Sequence, residues 1–114
     1  WVRIYGEMSS NVIDWSDFNR YWPKSWLKQL HIFEVPFYYI EYAIAQMGAL
    51  GVWKNYRENP EKGLNQYIEA LKLGYTKTIP EIYETAGVNF DFSEAHLHDL
   101  MQFLQREMEQ LEKQ

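Results

Sequence analysis

Between Val35 and Lys54 the chain carries a single charge, Glu41, in a run that is otherwise apolar or aromatic. The Val35-Pro36 pair favours an extended residue followed by a proline suited to the first turn of a helix. The pattern therefore predicts a helix over residues 36–57. It is apolar almost all round, the mark of a buried element. At about 100° per residue, Tyr38, Tyr42, Ala45, Ala49 and Tyr56 fall on one face, and Ile40, Ala43, Ile44, Met47 and Gly51 on the opposite one. One side is aliphatic and the other sets phenols above small residues. Ala45, Gly48, Ala49 and Gly51 would let another backbone approach closely.

Breakers divide the rest of the chain. The first 13 residues show no clear period and read as irregular or as an incomplete element. Asp14 is suited to cap a helix over 14–30, interrupted or kinked at Pro23. Asn59-Pro60 opens the next helix, which Gly74 ends. Thr78 and Pro80 start a short helix that stops at Gly87. Ser93 caps the last, where Leu97, Leu100, Met101, Leu104, Met108 and Leu111 recur at helical spacing. No run has strand period, and no repeat appears. The predicted fold is all-α, an orthogonal bundle of about five helices forming one domain over residues 1–114.

Composition narrows the function classes. A net charge of −5, with 11 basic residues dispersed along the chain, argues against nucleic acid as a partner. The absence of cysteine removes disulfide and thiolate chemistry. The apolar run 35–53 is barely long enough to span a membrane and contains Glu41, Gln46 and three tyrosines, so no membrane span is expected. No secretory signal opens the chain. The first residue is tryptophan, not methionine, which suggests a piece of a longer protein.

Candidate chemistry centres on His31 with Tyr38 and Tyr42. A neutral imidazole and a phenol are both donors that can meet a developing oxyanion. A nearby helix N-terminus favours negative charge there. Spacing alone leaves this open, because a buried tyrosine more often serves as packing with its hydroxyl on a backbone carbonyl. His96 and His98 lie about 200° apart on a helix and do not chelate one metal together, and no H-E-x-x-H motif is present. Glu41 is a lone carboxylate without a sequence-local partner. No phosphate loop, Ser-His-Asp pattern or CxxC occurs.

The order of residues carries more than their types. Trp22, His31-Ile32-Phe33 and the block Pro36-Phe37-Tyr38-Tyr39-Ile40-Glu41-Tyr42-Ala43-Ile44-Ala45-Gln46 resemble the C-terminal region of the oligoendopeptidase F family, zinc metallopeptidases related to thimet oligopeptidase. The likeness continues through Trp53, Tyr67, Ala70-Leu71-Lys72-Leu73-Gly74, Pro80-Glu81, Ala86-Gly87 and Asn89-Phe90-Asp91-Phe92-Ser93. It covers roughly residue 11 to the C-terminus. The resemblance implies a part of a larger, mostly helical, two-lobed enzyme that cleaves short peptides in a deep cleft. Members hold one zinc through the two histidines of H-E-x-x-H and a downstream glutamate, and the motif glutamate activates the attacking water.

The same resemblance implies that the C-terminal segment supplies a histidine and tyrosines to the substrate and the oxyanion. His31 and Tyr38 match the catalytic positions best, and Tyr39 and Tyr42 the substrate-binding ones. The zinc motif is absent from this chain. Zinc would belong to the parent enzyme, with no ligands here, and the chain alone would be inactive. The implied partners are short peptide substrates and the rest of the parent chain, in the cytoplasm. The rival class is a small helical peptide- or protein-binding module without catalysis. A peptidase homologue that has lost its zinc motif and only binds peptides is a third possibility.

Overall fold

Capping residues set the starts of three helices, at Asn59, Thr78 and Ser93. A computed structural model describes residues 1–113 and contains, among them, six α-helices, two 3-10 helices and no strand. The all-α expectation holds. The chain divides into two compact units, Trp1–Ile40 and Glu41–Gln114.

The second unit follows the sequence closely. It holds α3 (Ile40–Glu58, whose first residue belongs to the other unit), α4 (Pro60–Leu73), α5 (Ile79–Thr85) and α6 (Glu94–Leu111). Asn59 Oδ1 accepts the Lys62 N–H at 3.1 Å, and Ser93 Oγ accepts that of His96 at 3.3 Å, so each satisfies a donor that the first helical turn leaves open. Thr78 and Glu81 form a reciprocal capping box. The hydrogen bonds from the Thr78 hydroxyl and N–H hold the Glu81 carboxyl below its usual range. Gly74 and Gly87 take positive φ (52° and 72°) where α4 and α5 were predicted to stop.

Leu50, Ala70, Ala86, Val88, Leu100 and Phe103 form the buried apolar set of this unit. Gly63 lets α4 cross α3 closely: a Cβ there would stand 2.7 Å from both the Tyr56 Cα and N. The Trp53 and Phe103 rings meet edge-on at 5.0 Å and join α3 to α6. Along the same seam Lys54 pairs with Asp99 at 2.5 Å and Arg57 with Glu107 at 2.9 Å. The Lys54 ammonium, hydrogen-bonded to Asp99, holds that carboxyl below its ordinary range.

The first unit departs from the predicted pattern three times. Residues 2–9, expected to be irregular or an incomplete element, form α1 (Val2–Ser9). Two contacts at i,i+4 support it: Trp1 stacks on Tyr5 at 4.8 Å, and Arg3 pairs with Glu7 at 3.1 Å. The predicted helix over 14–30 is instead a broken path of 3-10 helices at Ser16–Phe18 and Trp22–Lys28, followed by the one-turn α2 (His31–Glu34). Asp14 caps no helix there; its Oδ1 accepts the Ser16 N–H at 3.0 Å and closes an Asx turn.

The third departure shifts the start of the central helix from Pro36 to Ile40. The Tyr38 N–H bonds the Val35 carbonyl at 3.1 Å, and Phe37 adopts φ 65°. Proline in the second position and a positive φ in the third are the pattern of a type II turn. The turn ends the extended segment without starting the helix.

Candidate functional site

Aromatic packing builds the first unit. The rings of Trp1, Tyr5, Trp15 and Trp22 stand 4.8 to 6.5 Å apart in successive pairs. Gly6 gives Trp22 room, since a Cβ there would lie 2.9 Å from its ring. Trp15 Nε1 donates to the buried Ser9 Oγ at 2.9 Å, and that hydroxyl donates to the Tyr5 carbonyl at 2.7 Å. Each polar atom of this relay has its partner, as burial requires. Trp26 stacks on Phe33 at 5.8 Å and ties the second 3-10 helix to α2.

That stack anchors the helix whose first residue is His31. The half-buried imidazole lies parallel to the Tyr38 ring, with centroids 6.0 Å apart and planes within 6°. Tyr39 meets the same imidazole at 5.7 Å with planes tilted by 52°. Tyr38 and Tyr39 remain 42% and 45% exposed, so their rings pack while a large part of each side chain stays accessible. Within the first unit the structure thus brings His31, Tyr38 and Tyr39 together.

Tyr42 lies in the first turn of α3, within the second unit. The expected single face of Tyr38, Tyr42, Ala45, Ala49 and Tyr56 is corrected accordingly. Tyr38 precedes the helix, and only the other four residues are helical. Glu41, also in that first turn, is exposed, where its charge complements the positive helix end.

Three of those four residues do share a feature. Ala45, Ala49 and Tyr56 line an apolar cleft of about 560 Å³ within the second unit, together with Val52, Tyr67, Leu71, Ile82 and others from α4 and α5. Gly48 admits the Tyr83 ring, whose hydroxyl donates to the Ile44 carbonyl at 2.7 Å. Burial pushes the Tyr83 phenol above its ordinary range and keeps it a donor. The small-residue spacing on α3 signals a close approach, but not that an aromatic ring from α5 makes it.

Among the described residues no group of three or more His, Asp or Glu side chains is placed to hold a metal ion. His96 and His98 stand on α6 without forming such a cluster. No described helix is long and apolar enough to cross a membrane.

A sequence model of peptidase family M3 matches residues 1–102. The chain belongs to peptidase family M3. The match begins at Trp1, so α1 and the 3-10 segments are part of the M3 region, beyond the residue-11 start of the sequence resemblance, and it ends inside α6. No curated protein matches the chain, and no solved structure does. M3 peptidases are metal-dependent hydrolases. The described side chains of this M3 region do not by themselves make up a metal centre.

Proposed function

We propose that this M3 chain is the C-terminal part of a cytoplasmic, zinc-dependent oligoendopeptidase that hydrolyses short peptides. The observation that carries the reading is the stacked pair of His31 and Tyr38 in a segment whose residue order resembles oligoendopeptidase F. An imidazole and a phenol both offer hydrogen-bond donors suited to the oxyanion of a tetrahedral intermediate. They are held by packing before substrate arrives, so little reorganisation is needed at the moment of reaction. Tyr42, half exposed at the start of α3, is assigned to orient the peptide. The zinc ligands belong to the parent enzyme outside this chain.

The decisive variant is Tyr38→Phe in the intact, zinc-loaded peptidase. It keeps the ring on the imidazole and removes only the hydroxyl. Turnover is expected to fall roughly 10²–10³-fold, the scale of one lost oxyanion donor, with zinc content unchanged. Unchanged turnover refutes the assignment.

The apolar cleft favours a second reading, a helical peptide- or protein-binding module without catalysis. Reading the coding frame upstream of Trp1 separates the two. An in-frame H-E-x-x-H supports the peptidase, and translation starting near Trp1 supports the module.

A further inference from the structure

We infer that Tyr39 is a positioning residue for His31 and acts through its ring, not through a hydroxyl contact with substrate. The inference rests on the peptidase reading above and changes the role that sequence order suggests for Tyr39.

His31 begins a helix of a single turn, and α2 has no side-chain cap. So short an element does little by itself to fix the orientation of its first side chain. Two ring contacts supply what the backbone does not. The parallel Tyr38 ring defines the plane of the imidazole but permits sliding and rotation within that plane. Tyr39, tilted by 52° at 5.7 Å, approaches from a second direction and opposes that motion. Both separations fall in the range where aromatic pairs attract.

The turn explains how two consecutive residues reach one imidazole. On a helix starting at Pro36, Tyr38 and Tyr39 would point about 100° apart around a common axis. The left-handed Phe37 and the Val35–Tyr38 hydrogen bond replace that arrangement. Tyr38 then stacks while Tyr39 tilts. The Phe37 side chain is 95% exposed and packs against little, so its strained backbone is explained by what it does for its two neighbours.

The test is a pair of variants at Tyr39 crossed with His31→Ala in the intact, zinc-loaded enzyme. Tyr39→Leu is expected to lower kcat about fivefold with little change in KM, the scale of one well-placed aromatic pair. Tyr39→Phe, which keeps the ring, restores kcat. In the His31→Ala background Tyr39→Leu adds no further loss, because its effect runs through the missing imidazole. Equal losses for Tyr39→Phe and Tyr39→Leu, appearing in KM, overturn the inference in favour of a hydroxyl contact with peptide.

Full additivity with His31→Ala also overturns it while leaving the peptidase reading intact. That reading fails separately if His31→Ala itself leaves turnover unchanged. The 114-residue chain gives an independent readout. Tyr39→Leu should move the His31 imidazole proton resonances by loss of ring current, and Tyr39→Phe should leave them in place. Resonances unmoved by Tyr39→Leu refute the contact.

Discussion

The two compact units are stabilised in different ways. In residues 41–114 polar side chains mark the helix ends: Asn59, Thr78 and Ser93 each begin a helix, and Gly74 and Gly87 each follow one. Those signals act over three or four residues, so they are visible in sequence. In residues 1–40 the organising contacts are between rings: Trp1 with Tyr5, Trp15 with Trp22, Trp26 with Phe33 and His31 with both tyrosines. Several of these join residues six or more positions apart, and aromatic contacts impose no helical period of their own. The first unit accordingly contains 3-10 turns and a one-turn helix where local rules predict a longer helix.

The largest test of that contrast lies in the second unit. Gly63→Ala places a methyl 2.7 Å from the Tyr56 backbone, which cannot swing aside as a flexible side chain would. Overpacking of this kind costs up to about 3 kcal/mol, against a helix-propensity gain of about 1 kcal/mol for leaving glycine. A net loss of about 2 kcal/mol is expected, read as a lower urea midpoint by far-ultraviolet circular dichroism. A neutral or stabilising result would show that α3 and α4 separate readily at this crossing.

The matching test in the first unit is Trp15→Phe. A smaller aromatic ring replaces the indole, and the donor to the buried Ser9 hydroxyl is lost. Ser9 Oγ still donates to the Tyr5 carbonyl and loses only the bond it accepts, so the expected cost is about 1 kcal/mol. A smaller loss than for Gly63→Ala keeps the contrast between a rigid backbone crossing and an adaptable ring cluster. An equal or larger loss would break it. Retained tryptophan emission changes from Trp1, Trp22 and Trp26 report on this unit.

How legible the molecule was follows the same division. The capped helices α4, α5 and α6 begin where Asn59, Thr78 and Ser93 say they should, because a cap is chemistry between near neighbours. Pro36 looked equally decisive, yet proline in the first turn of a helix and proline in the second position of a type II turn present the same local sequence. Phe37 settles the choice by adopting a φ that phenylalanine rarely takes. The site was half legible for a related reason. The order of His31, Tyr38 and Tyr39 drew attention to them, but the two ring contacts arise from a turn that sequence rules mistook for helix. The α4 and α5 walls of the cleft around Tyr67 and Ile82 were not legible, since nothing near either residue announces α3 opposite it.

Phe37→Gly gives the smallest and most discriminating effect. Removing the side chain sacrifices almost no burial, because it is 95% exposed. Relief of a left-handed non-glycine backbone is worth about 1–2 kcal/mol, and the extra freedom of glycine in the unfolded chain removes about 0.5–1 kcal/mol of that. The variant should therefore be more stable by about 0.5–1 kcal/mol, seen as a raised urea midpoint in tryptophan emission. Four of the five tryptophans lie in residues 1–40, so that signal follows the unit in question. In the intact enzyme the turn that brings Tyr38 and Tyr39 onto one imidazole should persist, because glycine adopts that left-handed φ more readily than phenylalanine, so kcat is expected to stay unchanged. Stability rising with turnover unchanged would show that the turn, and not the Phe37 side chain, serves the histidine site. A fall in kcat would show instead that the Phe37 side chain itself restrains the two tyrosines.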